Sequence, residues 1–226
     1  MLEFKGNSEE LMQALDRFLS VYFGDRQVEY KPDLDEIATW NIPQPLKDLY
    51  SFVGKYLGKN GITFTNTQDT LFFYPGIFKD KLCIIGENQE VWSCGTEILG
   101  EDPPVYLVDW TTDKQNNSDW IYINDSLSQF LVTFCLREAL FASSYTSAFK
   151  GKIEDTVSNM RELGYEVNLL WSGKYSEIES YIVPQLDSFY LLEDSILIWD
   201  MWDSSWCGTN YKNANRLITS LKAEFK

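Results

Sequence analysis

The sequence contains no histidine among its 226 residues. Histidine is the commonest general base and metal ligand in proteins, and it activates serine and cysteine nucleophiles. Its absence leaves only the chemistry that carboxylates, lysine or tyrosine can perform. We therefore expect a protein that is not an enzyme and has no catalytic metal.

The four cysteines lack the close spacing of metal or redox sites. Each stands among apolar or small residues, and they are Cys83, Cys94, Cys135 and Cys207. Such cysteines usually behave as small, reduced, buried side chains. Glycine-rich phosphate-binding motifs of the GxxxxGK[ST] or GxGxxG form are also absent from the sequence. No cofactor is expected.

Long apolar runs are lacking as well. No stretch approaches the roughly 18 apolar residues that a membrane-spanning helix needs. The opening residues, Met1 to Gly6, have neither the basic nor the apolar region of a secretory signal. We expect a cytoplasmic protein that does not associate with membranes.

Basic residues are scarce, with 19 lysines and arginines against 34 aspartates and glutamates. Nine acids and one lysine lie between Glu87 and Asp125, and seven acids and no base lie between Tyr175 and Tyr211. These two acidic windows account for the net charge of −15. Such a surface repels nucleic acid and anionic membranes and attracts basic proteins. The alternative is a solvated surface that serves solubility alone.

Apolar residues at helical spacing predict six helices. Asn7-x-x-Glu10 and Ser126-x-x-Gln129 have the form of capping boxes at two of the N-termini. The helix that follows Ser126 is apolar on most faces and should be deeply buried. The predicted helices span residues 8–23, 43–53, 126–141, 152–163, 176–183 and 213–225.

Short apolar runs separated by turn residues favour antiparallel strands. We predict an α+β fold with a central, mostly antiparallel sheet, helices packed on it, and a C-terminal α/β extension. Residues 1–150 would form the first unit, and residues 151–226 an extension that packs on it or continues it. Residues 25–39 are expected to be a linker. The predicted strands span 71–74, 82–86, 91–94, 105–108, 120–123, 165–171, 188–192 and 196–202.

Several segments resemble the SUKH superfamily in order and spacing over roughly residues 36–142. Trp40–Phe52 (WNIPQPLKDLYSF) is similar to its opening Ile-Pro helix, and Glu87–Trp92 (ENQEVW) to its Glu-Asn-Gln-Gly-Val element. Asp102–Tyr106 (DPPVY), and Trp120 followed by Ser126–Leu131 (SLSQFL), resemble the stretches that follow. Glu90 replaces the usual glycine, and the resemblance does not extend beyond residue 150.

The resemblance implies a single α+β domain with helices on a central sheet. Bacterial SUKH members are mostly cytoplasmic immunity proteins that bind and neutralise toxins, often nucleases, and fungal relatives regulate cell-wall glucan synthesis. We therefore expect an immunity protein whose partner is a basic toxin domain. The alternative is a housekeeping regulatory or protein-interaction module of the same fold, resembling a cell-wall synthesis regulator.

A more distant alternative is a carboxylate enzyme that acts on glycans. Asp194, Asp200 and Asp203 stand near tryptophans that could hold sugar rings. Solvated acids beside half-buried tryptophans at a strand end are the commoner arrangement, and we favour that interpretation.

Aromatic anchors inside a charged rim are the usual anatomy of tight protein interfaces. We therefore look for partner contacts in the two acidic windows, which hold six of the eight tryptophans. For the polar pair Asn88 and Gln89, fastening a hairpin is the structural alternative. The candidate partner-binding residues are Glu87, Asn88, Gln89, Trp92, Asp109, Trp110, Asp113, Asp119, Asp200 and Trp202.

Overall fold

The structure, a computed structural model, describes residues 4–24, 34–53, 69–71, 76–87, 92–110, 119–174, 186–201 and 204–224. Its helices are α1 (Ser8–Phe23), α2 (Leu34–Thr39), α3 (Gln44–Val53), α4 (Leu127–Phe141), α5 (Ile153–Glu162) and α6 (Lys212–Glu224). Its strands are β1 (Asp69–Leu71), β2 (Ile77–Phe78), β3 (Lys81–Glu87), β4 (Trp92–Thr96), β5 (Val105–Asp109), β6 (Ile121–Asn124), β7 (Tyr145–Lys150), β8 (Val167–Lys174), β9 (Leu186–Leu192), β10 (Ile196–Met201) and β11 (Ser204–Thr209). The predicted α+β class is confirmed.

The strands form two antiparallel sheets. Sheet A has the order β1-β3-β4-β5-β6, with β2 paired to β3, and sheet B has the order β7-β11-β10-β9-β8. In sheet B, Trp199 of β10 lies opposite Phe189 of β9 and Trp206 of β11. The strand predicted over 196–202 is therefore the central strand of its sheet.

The start of α1 is the capping box that the sequence predicts. The Asn7 side-chain oxygen accepts from the Glu10 backbone N–H at 3.0 Å, and the Glu10 carboxylate accepts from the Asn7 backbone N–H at 2.9 Å. The helix ends at Gly24, whose φ of 60° lies in the region that favours glycine.

The start of α4 departs from the predicted capping box. Ser126 Oγ accepts from the Gln129 backbone N–H at 3.2 Å, but the Ser126 backbone N–H donates to Asn124 Oδ1 at 2.8 Å. The Asp102 carboxylate accepts from the Ser128 backbone N–H at 2.7 Å and from the Ser126 hydroxyl at 2.6 Å. These bonds fix the loop before β5 to the first turn of α4.

Helix α4 is buried on nearly all sides, as its apolar sequence requires. One hydrophobic core joins it to α1, α3 and the inner face of sheet A, and also to residues of sheet B. A second core lies between sheet B and helices α5 and α6. Sheet B is thus covered by α4 on one face and by α5 and α6 on the other.

A glycine allows α4 to approach sheet B closely. A Cβ atom on Gly208 of β11 would lie 2.8 Å from the Leu140 carbonyl oxygen and 2.6 Å from Ser143 Oγ. Any side chain at this position would have to move α4 away from the sheet.

Several sequence predictions need correction or lie outside the described residues. Helix α2 lies in the segment expected to be a linker, and strands β2, β7 and β11 were not predicted. Strand β1 ends at Leu71, and the described residues do not include the rest of the strand predicted over 71–74. They also do not include the helix predicted over 176–183. Because β7 pairs with β11, residues on both sides of position 150 share sheet B, and the division there stays a prediction.

Within the described ranges, no helix is both long enough and apolar enough to cross a membrane.

Replacing Phe134 with alanine should destabilise the protein by about 3–5 kcal/mol, because this buried ring lies in the core between the sheets. Denaturant unfolding of both variants measures the effect. The control, Leu99→Ala, removes an exposed side chain and should change stability by less than about 0.5 kcal/mol. A loss below about 1 kcal/mol for Phe134→Ala would contradict this packing.

Candidate protein-binding site

The alternation of side chains along β4 divides sheet A into two faces. Trp92 and Cys94 belong to the hydrophobic core that contains α4. Ser93 and Gly95 point to the opposite side, which we call the outer face. Because Trp92 is only 9% exposed, its burial argues against the predicted role as a partner-binding anchor.

Three aromatic side chains lie together on the outer face. The Phe78 ring contacts the Trp110 ring at 4.9 Å and the Trp120 ring at 6.0 Å between centroids, both edge-on. Trp110 Nε1 donates to Ser93 Oγ at 3.0 Å, and Trp120 Nε1 donates to the Phe78 carbonyl at 3.3 Å. These hydrogen bonds hold the two indoles in place on the sheet.

Gly95 explains why the Trp120 ring lies so close to β4. A Cβ atom at this position would be 2.7 Å from Trp120 Cη2. Glycine therefore permits direct contact between the indole and the strand backbone.

Two tyrosines extend the same surface. The rings of Tyr106 and Tyr122 meet edge-on at 6.0 Å between centroids. Tyr106 donates to Glu97 Oε1 at 2.9 Å, and burial, together with this hydrogen bond, raises its pKa. The exposed Tyr122 donates to Asp125, a bond that raises the pKa of Tyr122 to about 12.

We call these five rings the aromatic face, and the carboxylates beside them the acidic rim. The aromatic face consists of Phe78, Tyr106, Trp110, Trp120 and Tyr122, and the acidic rim of Asp80, Glu97, Asp119 and Asp125.

The turn between β2 and β3 places two lysines on this surface. Lys79 Nζ lies 5.8 Å from the Phe78 centroid and 3.1 Å from Asp119 Oδ1. Lys81 Nζ lies 4.7 Å from the Tyr106 centroid and 2.6 Å from Asp80 Oδ2. The bond between Lys81 and Asp80 raises the pKa of the lysine and lowers that of the acid.

The structure brings together only part of the predicted site. The Trp110 ring contacts the Phe78 ring, and Asp119 pairs with Lys79 next to it. Asp109 ends β5 opposite Trp92. Asp200 belongs to sheet B, where it pairs with Ser205, and is thus in a different sheet from the aromatic face. For Glu87 and Asp200 the structure describes the backbone but not the side chains, and Asn88, Gln89, Asp113 and Trp202 lie outside the described residues.

Comparison of the chain with protein-family models, with curated proteins and with solved structures finds no match in any of the three. The function must therefore be argued from the chain's own residues.

Of the five rings of the aromatic face, only Trp110 was among the candidate partner-binding residues; sequence reasoning missed the others, which are Phe78, Tyr106, Trp120 and Tyr122. The tyrosines could have been found from strand alternation, because both precede a core residue on their strands. Phe78 joins the site through the β2–β3 turn, for which the sequence has no strong signal.

Trp199 cannot serve as a sugar platform at the surface. It is buried in the core and stacks on Phe189 at 6.1 Å between centroids. This burial weakens the glycan-enzyme alternative, which needs exposed rings beside the carboxylates.

A separate polar cleft of about 710 Å³ lies beside the N-termini of α1 and α3. Two of its acids make internal hydrogen bonds: Asp48 accepts from Gln44 Nε2 at 2.7 Å, and Asp102 accepts from the first turn of α4. Across the described residues, no group of three or more side chains could hold a metal ion.

None of the four cysteines forms a disulfide, and burial opposes ionisation of the three thiols whose pKa is shifted. Burial raises the pKa of Cys83, of Cys135 and, to about 12, of Cys207. Since the thiolate is the reactive form, these residues are poor nucleophiles.

A disulfide-exchange reagent at pH 8 should label the half-buried Cys83 slowly in the native protein. The three buried cysteines should show no measurable labelling under the same conditions. In denaturant all four should react, which provides the control. The absorbance of the thiol released from the reagent measures the labelling rates of the native and the denatured protein. Fast labelling of one native cysteine, as expected of a catalytic thiolate, would contradict this result.

Proposed function

We propose that the protein is an immunity protein of the SUKH type, which binds a basic toxin domain and neutralises it by covering its surface. The observation that carries the proposal is the aromatic face with its acidic rim. Rigid aromatic rings supply contact area at low entropic cost, and surrounding carboxylates select a cationic partner.

The order of elements supports the SUKH part of this proposal. Of the described residues in the segments that resemble the superfamily, one set forms α3, Glu87 ends β3, and Trp92 begins β4. Val105 and Tyr106 begin β5, and the last resembling segment forms the start of α4. The sequence beyond residue 150, which the resemblance does not cover, contributes β8 to β11 of sheet B together with α5 and α6.

The charge of the chain supports a basic partner. A nuclease toxin needs basic residues to hold nucleic acid, and a protein with a net charge of −15 is attracted to such a surface. Inhibition by this route requires no catalytic group, in agreement with the absence of histidine.

The direct test is to look for a toxin gene beside the one that encodes this chain and to co-express its toxin domain with the protein. The absence of such a neighbouring gene would count against the proposal. Wild-type protein should restore growth and should co-purify with the toxin domain in a stoichiometric complex. Continued toxicity together with no complex would overturn the proposal. A catalytically inactive toxin domain serves as the control for expression and complex formation.

Reversing Asp119 to lysine should slow association with the toxin domain about threefold or more at low salt, because rim charges mainly set the association rate. Dissociation should change less than about twofold. Surface-binding kinetics across a salt series measure both constants. The matched control, Glu162→Lys on α5, makes the same charge change at an exposed site away from sheet A. Equal effects of the two reversals would show that Asp119 is not in the interface.

A further inference from the structure

The lysine at the tip of the β2–β3 turn has an unusual position. Lys79 adopts a φ of 53°, in the left-handed region that residues with a Cβ atom rarely occupy. This conformation accompanies the placement of its ammonium group between the Phe78 ring and the Asp119 carboxylate. A positively charged group of the protein itself therefore occupies the aromatic face.

Lys81 repeats the same arrangement a short distance away. Its ammonium lies over the Tyr106 ring and contacts the Asp80 carboxylate. The face thus combines a ring and a carboxylate around a cation at two places. This is the chemistry by which proteins bind ammonium and guanidinium groups.

The two lysines differ in how firmly they are held. The Lys81 side chain is 13% exposed, and its Nζ lies 2.6 Å from the carboxylate of Asp80, which is 74% exposed. The Lys79 side chain is 35% exposed, and its Nζ lies 3.1 Å from Oδ1 of Asp119, which is 93% exposed. Because solvent-exposed ion pairs are weak, Lys79 is the lysine that another cation can displace.

We propose that Lys79 occupies the position that a cationic side chain of the partner takes, and that binding exchanges one for the other. The incoming group would lie against Phe78 and Trp110 and pair with Asp119. Arginine suits this position better than lysine, since its planar guanidinium stacks on aromatic rings and presents a fork of donors to a carboxylate. The identity of the partner as a toxin domain rests on the proposed function, whereas the cation exchange does not.

The exchange has a consequence for specificity. A partner must displace Lys79, so weakly cationic surfaces are disfavoured and an arginine-bearing segment is preferred. Removing Lys79 should therefore tighten the binding of cationic segments, whereas loss of an ordinary interface residue weakens binding.

The test is a titration of the ¹⁵N-labelled full chain with a nona-arginine peptide, followed through the indole N–H signals of Trp110 and Trp120. Replacement of every arginine by citrulline gives a neutral control peptide of the same shape. The Trp171 indole, which donates to Thr133 between β8 and α4, reports effects elsewhere. The expected result is a saturable shift of the Trp110 and Trp120 signals with the arginine peptide alone.

Lys79→Ala should bind the arginine peptide about two- to fivefold more tightly than wild type. The reason is that the Lys79 ammonium no longer competes with the peptide for the Phe78 ring and the Asp119 carboxylate. Lys152→Ala, which removes an exposed lysine at the start of α5, makes the same change in net charge and should have less than half that effect. Equal tightening by both variants would mean that only net charge matters, and would overturn the exchange. Peptide binding that leaves the Trp110 and Trp120 signals unmoved would overturn it too.

The two proposals fail separately. If the peptide results hold but wild-type protein neither binds nor neutralises the toxin domain, the proposed function is wrong and the cation exchange stands. If the toxin domain is neutralised and Lys79→Ala behaves like Lys152→Ala with the peptide, the exchange is wrong and the proposed function stands.

Discussion

Burial of α4 on nearly all sides is the constraint on which the rest of the architecture depends. A helix that is apolar on most of its faces needs cover from more than one side. Sheet A, α1 and α3 provide part of that cover, and sheet B provides the remainder through β8, β10 and β11. Sheet B in turn needs α5 and α6 on its other face.

The aromatic face follows from the same constraint. Sheet A gives its inner face to the core around α4, so that side-chain alternation sends the other residues of β4 and β5 outward. Small residues at Ser93 and Gly95 then let the indoles of Trp110 and Trp120 lie directly on the strands. Carboxylates next to these rings form the acidic rim, and the ammonium groups of Lys79 and Lys81 lie between rings and carboxylates.

The parts of the fold encoded by local patterns could be predicted from sequence. The capping box at Asn7 and the apolar periodicity of α4 depend on residues close in the chain, and both elements form where expected. Strands β7 and β11 (YTSAFK and SSWCGT) carry small and polar residues without a clear alternation. Strand β11 pairs with β7 on one side and with β10 on the other, and sequence patterns do not reveal this pairing.

The same distinction applies to the site. Charge density along the chain was enough to select Asp119 and Trp110. Composition could not tell that Trp92 faces the core, because the side of the sheet that a residue occupies depends on register. Phe78 joins the two indoles across more than 30 positions of sequence, and such contacts require the tertiary structure.

The most direct test of the account is hydrogen exchange of the protein free and in complex with the toxin domain. If the outer face of sheet A is the binding surface, protection on binding should concentrate in residues 76–81, 105–110 and 119–125. Protection confined to α5, α6 and β8, with those three segments unchanged, would contradict it.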